Sequence, residues 1–199
     1  MKYIIKNRKF FNLDVTGLNE VGKFNEYGIP FMEVIKIHDL CIQGISLPII
    51  KVELQKILKS GRDINEYINP FGCNLMFFVN NVEVLKLLLD LGCDANHRSH
   101  GFDKSCVDNS TPGTTALHYA GQYFLINSIK VLGNIVEDKN LLDDDEVSAM
   151  GYAQMNYDEE LMDRRKGRGR YSDKSLQLMG KVLIYMRKKG FVATNYLDK

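Results

Sequence analysis

One short motif, written three times with decreasing clarity, constrains the fold of this chain more than its composition does. The clearest copy is Thr114-Thr115-Ala116-Leu117-His118-Tyr119-Ala120, directly after Pro112-Gly113. Ser148-Ala149-Met150-Gly151-Tyr152-Ala153 follows it position by position, with Gly151 where the histidine stands, and a fainter copy runs from Gly72 through Asn74 to Val79. A second motif ends the units: Ser60-Gly61-Arg62-Asp63-Ile64-Asn65 and, 31 residues later at its glycine, Gly92-Cys93-Asp94-Ala95-Asn96. Units this short cannot bury their own apolar faces. They must stack on one another around a shared core, as in a repeat array.

Between the motifs lie amphipathic helical runs. Lys51 to Lys59 carries Val52, Leu54, Ile57 and Leu58, and Val82 to Leu91 is dense in leucine and valine. Ile126 to Leu132 leads into Gly133, which lies 20 residues after Gly113, the same interval that separates Gly92 from Gly72. Gly61 suits a left-handed helix end, and Asp63 and Asn65 suit the turn that follows it.

The Thr114–Ala120 stretch closely matches the Thr-Pro-Leu-His-x-Ala signature of an ankyrin repeat, and the Gly-x-Asp-x-Asn endings resemble the close of the same unit. The resemblance covers residues 28–195. It implies an all-α, ankyrin-like solenoid of about four helix-turn-helix repeats at 28–65, 69–96, 112–140 and 146–195, preceded by an irregular N-terminal cap over 1–27. Extra residues are expected as loop insertions inside 39–49, 97–112 and 158–173. Lengthening a surface loop costs only about 0.6 kcal/mol per doubling, so a stack tolerates them. Within the signature, His118 resembles the histidine that hydrogen-bonds the turns of neighbouring repeats, Leu117 and Met150 point into the core, and Thr115 caps the first turn.

Composition excludes several classes. With 26 Lys and Arg against 25 Asp and Glu, the chain has no overall field to hold it on nucleic acid or an anionic bilayer. No run approaches a signal peptide or the ~20 apolar residues of a membrane span, so a cytoplasmic protein is expected. Cys41, Cys73, Cys93 and Cys106 are too few and too irregular for a disulfide scaffold and are expected to be reduced. Gly17 to Lys23 has the glycine and lysine spacing of a phosphate-binding loop. Phe24 stands where the metal-binding hydroxyl belongs, however, and we read the match as chance.

No catalytic or cofactor-binding constellation is legible. Cys93, His97, His100 and Cys106 offer two sulfurs and two imidazoles, but their spacing fits no standard zinc module, and no metal site is assigned. Partner contacts are expected from what interrupts the stack. Arg98, His100, Phe102 and Lys104 lie in the 97–112 insertion, Gln122 and Tyr123 near the end of a first helix, and Arg164, Arg165, Arg168 and Arg170 in a glycine-loosened basic stretch whose guanidinium forks suit carboxylates. The resemblance implies a protein-binding module without catalysis, monomeric by itself. The specific expectation is a bacterial immunity-type inhibitor that covers a cognate toxin domain. The alternatives are a secreted effector or adaptor for a host protein and, in a different class, a metal-dependent or nucleic-acid-acting protein using the Cys/His cluster and the arginine-rich stretch.

Overall fold

The computed structural model describes residues 24–44, 46–69, 72–100 and 111–194. Their regular structure is helical: α1 (Phe31–Gln43), α2 (Leu47–Lys59), a 3₁₀ turn at Ile64–Glu66, α3 (Val82–Asp90), α4 (Ala116–Gln122), α5 (Ile126–Leu132), α6 (Ala149–Arg165) and α7 (Asp173–Lys188). Among the described residues no strand forms, only isolated bridges from Phe24 to Pro30 and from Leu142 to Ser148. Helices α1 and α2, α4 and α5, and α6 and α7 pack as pairs. The pairs connect through α2 on α3, α3 on α5 and α4 on α6, and one apolar core runs from Ile29 through Leu54, Leu85 and Leu117 to Met186.

The same bonded turn precedes four helical segments. In the first, the Asn25 N–H donates to the Ile29 carbonyl (2.9 Å), and the Asn25 carbonyl accepts from Gly28 (2.9 Å). The Asn25 Oδ1 accepts from the Tyr27 and Ile29 N–H groups (3.0 and 2.9 Å). Asn69 bonds the backbone of Gly72 and Cys73 in the same way, and Asp143 that of Glu146 and Val147. Ser99 repeats the backbone pattern with Gly113 and Thr114, 15 residues away, so the 97–112 insertion is an enlargement of this turn at its tip. All four turn residues are buried. Each needs its polar groups satisfied, and the turn does that locally.

Three residues before each segment, at Gly28, Gly72, Gly113 and Glu146, φ lies between 61° and 79°. Glycine takes this conformation freely; Glu146 bears a steric cost of about 1–2 kcal/mol. Three of the positions were visible in the sequence as glycines, and the fourth was hidden by its side chain.

Asparagines tie each loop to the next. Asn65 donates to the Gly92 carbonyl (2.9 Å) and accepts from the Asp94 N–H (2.8 Å). Asn96 accepts from the Glu137 N–H (3.1 Å), and Asn140 donates to the Gly190 carbonyl (3.3 Å) and accepts from the Val192 N–H (2.8 Å). The third ending is therefore Asp138-Lys139-Asn140 rather than Gly133, whose φ is −63°. The equal 20-residue intervals hide a different partition.

Several expectations change in detail. Residues 72–79 form a single turn instead of a first helix, closing at Phe78 with φ 65°. No long insertion occupies 39–49, because α1 continues to Gln43 and α2 starts at Leu47. Most of 158–173 is helical, since α6 runs to Arg165 and only residues 166–172 make a connection. The expected cap ends inside the Asn25 turn, and its residues 1–23, with the phosphate-loop-like stretch, lie outside the described residues.

Buried histidines pin adjacent segments. His118 Nδ1 accepts from the Thr115 N–H (3.0 Å), which leaves Nε2 to donate to the Leu141 carbonyl (3.0 Å) in the following loop. His38 Nε2 lies 3.0 Å from the Phe77 carbonyl and its Nδ1 lies 3.2 Å from Asn69 Nδ2. Burial holds the His38 imidazole down at about 4 and lowers His118 as well. A base harder to protonate in the folded state contributes stability that is complete above its unfolded pKa and is lost as pH falls. For His38 the window runs from pH 6.5 down to about 4, with a loss of about 3 kcal/mol. Urea denaturation across that range should show the decline, and His38→Gln should flatten it, leaving the smaller slope from His118.

At the α4–α6 crossing, Gly121 lies against the backbone of Ala149, beside the buried Ala120 and Ala153. A Cβ on Gly121 would collide with the Ala149 carbonyl. Gly121→Ala should therefore destabilise the protein by about 2–4 kcal/mol, despite the better helix propensity of alanine, as read from the urea midpoint.

Candidate interaction surface

The anticipated contact residues fall into three places. Arg98 lies at the base of the enlarged turn, donating to the Leu142 carbonyl (3.2 Å) and to Asp144 Oδ1 (3.1 Å). The Asp144 N–H in turn donates to the Pro112 carbonyl (3.1 Å), and Thr111 Oγ1 donates to Asp145 (2.8 Å). With the Ser99 to Thr114 bonds, both strands of this stem are fixed to the Asp143 turn beside it. Gly113 lies beneath the Arg98–Asp144 pair and takes a left-handed φ of 79°, which glycine adopts freely. Phe102 and Lys104, at the centre of the insertion, lie outside the described residues. His100 is exposed, 3.7 Å from Glu26 on the first turn.

Around Asp143 the polar groups interlock. Its Oδ1 accepts from the Asp145 and Val147 N–H groups, and its Oδ2 accepts from the Tyr152 hydroxyl. Burial, then the bond to Asp143, pushes the Tyr152 phenol far up, so it stays a neutral donor. This cluster secures the turn that precedes α6.

At the opposite end of α4, Gln122 and Tyr123 are half-buried. The Gln122 carbonyl accepts from Asn156 Nδ2 (2.8 Å). Tyr123 stacks beside Tyr119 with centroids 6.2 Å apart and meets Phe78 at 5.7 Å; Phe78 also packs edge-on to Tyr119 at 4.5 Å. Aromatic pairs in these geometries add about 0.5–1.5 kcal/mol beyond burial. They form a partly exposed aromatic ledge floored by a left-handed Phe78.

The third place is α6 and its connection to α7. Asn156 marks where α4 ends, and α6 continues nine residues further. On that overhang Glu160 is fully buried, accepting from the Arg170 and Tyr171 N–H groups (both 3.1 Å) and from Arg164 Nε (3.2 Å). Burial raises the carboxyl, but these donors outweigh it and leave its pKa lowered. Arg164 also pairs with Asp173 and donates to the Tyr171 carbonyl. Arg170 pairs with Glu159 (3.1 Å) and Arg168 with Asp163 (3.7 Å). The loop thus folds back over α6, where a longer α4 would have packed. Three of the four anticipated arginines are matched by acids of the same hairpin; among the described residues Arg165 has no ion pair.

Among the described residues, Cys93, His97 and His100 do not gather around one point. Cys93 is buried in the apolar core, where burial raises its thiol pKa, and burial likewise pushes Cys41 up to about 12. His97 Nε2 lies 2.7 Å from the Gly72 carbonyl, and Cys106 lies outside the described residues. Among the described residues no helix is long and apolar enough to cross a membrane. Compared with known proteins, the chain matches no family model and no curated sequence.

In the sequence Glu160 is one of four acids, with Asp158, Glu159 and Asp163, able to neutralise the arginines, and charge alone does not single it out as the residue that holds Arg164 and the loop. The spacing Glu160–Arg164, four apart on a helix, was the available signal. Glu160→Gln should release the loop. Hydrogen exchange at the Arg170 and Tyr171 amides should quicken by about 10- to 100-fold, because bonds to a charged acceptor are lost, while the exchange of α4 should be unaffected.

Proposed function

We propose that this chain is an ankyrin-like stack acting as a non-catalytic protein-binding module, and that it serves in the cytoplasm as a stoichiometric inhibitor of the toxin-immunity type. The observation that carries this reading is the recurring turn. Four buried turn residues, each followed by a left-handed residue three positions before a segment, recur along the chain, and successive turns are bonded to one another. Asparagine bridges fix the loops that lead into these turns. Such a framework gives a rigid row of tips at which one turn, between Ser99 and Gly113, has been enlarged on a clamped stem. A rigid stem lowers the entropic cost of presenting a binding segment.

The polar groups support binding over turnover. Asp143, Tyr152, His118 and Glu160 are all engaged in holding backbone or one another. An inhibitor of this size would work by occlusion, and an ordinary interface of ~1,600 Å² fits within its turns and first-helix face.

The test is co-expression with the product of the neighbouring open reading frame. The expected result is rescue of growth and co-elution as a 1:1 complex. Arg98→Glu, which sets a second carboxylate beside Asp144 and unclamps the stem, is expected to weaken that complex about tenfold, with the helical content read by circular dichroism showing that the stack itself is retained. Toxicity that persists with both proteins soluble and separate would sink the proposal.

A further inference from the structure

The outer face of α7 is unused by the stack. Met179, Val182, Leu183 and Met186 bury one side of the helix. On the other side Lys174, Lys181 and Lys188 recur every seven residues, about 10.5 Å apart along the axis. Leu178 and Ile184 lie among them, 44% and 52% exposed. Among the described residues none of these lysines has an ion pair, and Asp173, the acid nearest in sequence, is taken by Arg164. The segment 173–190 carries five cations (Lys174, Lys181, Arg187, Lys188, Lys189) against Asp173 alone, in a chain whose net charge is +1. α7 is the last helix among the described residues and packs on α6.

We propose that this face docks an acidic protein helix, whose carboxylates at heptad spacing meet the three lysines and whose apolar side chains lie against Leu178 and Ile184. The proposal deepens the binding reading above and rests on it, adding a surface remote from the enlarged turn. The chemistry favours a helix over other anionic partners. A bilayer would need a broad apolar face able to sink between headgroups, whereas this helix shows two half-exposed apolar residues and is held in the stack by four buried ones. A phosphate backbone offers nothing for Leu178 and Ile184 to pack against, and the helix's arginine and tyrosine are engaged elsewhere, Arg187 by Gln154 and Tyr185 against the core beneath Lys130, which leaves the stripe to lysine point charges. A heptad row of lysines flanking apolar residues has the charge pattern that selects partners beside a coiled-coil seam.

The experiment uses the full chain and a labelled three-heptad synthetic peptide, helical, with glutamate at every seventh position and leucines alongside. Its comparators are a peptide of identical composition with scrambled glutamates, phosphatidylserine vesicles and a short duplex RNA. The expected result is saturable binding of the heptad peptide about tenfold tighter than the scrambled one, weakened by salt. Lys174→Glu, Lys181→Glu and Lys188→Glu combined should lower that affinity by about tenfold or more, and Lys181→Arg should keep it. All three positions are exposed, and the milder Lys181→Gln provides a second measurement should the triple variant melt early. Equal affinity for the two peptides, tighter binding of vesicles or RNA than of the heptad peptide, or an unaltered affinity in the charge-reversed variants would overturn the proposal. If the peptide fails while the 1:1 complex with the neighbouring gene product forms, this surface is wrong and the binding reading stands.

Discussion

Everything in this molecule depends on satisfying the backbone of its loops without a sheet. Stacked helical units bury the residues that open their turns, Asn25, Asn69, Ser99 and Asp143, and each turn carries N–H and carbonyl groups that no helix can pair. Asn25, Asn69 and Asp143 answer this within a turn, each using one side-chain oxygen and its own backbone. Asn65, Asn96 and Asn140 answer it between loops. An amide or carboxylate of that length reaches a backbone group two residues away, which longer side chains do less well. Once the loops are locked, the spacing of the helices is set, and the apolar residues need only fill it.

That order of constraint explains the uneven helices. The segment after Asn74 is one turn, α4 is two, and α6 is almost five. The turns at one end remain in register while the far ends differ in height. Unequal height leaves part of α6 without a neighbour, and the chain covers it with its own loop, tied down by Glu160. The basic stretch that reads as a ready-made anion surface is therefore largely consumed by the protein itself, since ion pairs within one hairpin form without the cost of bringing in a partner.

Much of the architecture was legible in the sequence, and the reasons for the remainder are specific. Thr115 and Ser148 marked helix starts because capping demands small polar side chains there. Asp63-Ile64-Asn65 and Asp94-Ala95-Asn96 marked loop ends. Asp138-Lys139-Asn140 went unread because Gly133, at a tempting interval, drew the boundary earlier. Phe78 concealed the loss of a helix, since the hydrophobic run Leu75 to Val79 satisfies a helical pattern as well as a single turn packed in the core. Arg98 stood out by composition as a contact candidate, but its place at the stem depends on Asp144, 46 residues on, a pairing that no local pattern reveals.

The stem between Ser99 and Thr114 has a consequence for how such a protein changes over generations. Its bonds join residues on the near side of the insertion to residues on the far side and to the next turn, so both ends of the inserted segment are held by the framework itself. With its ends held, the closure entropy of a longer segment grows only with the logarithm of its length, and a change of length there costs the stack little.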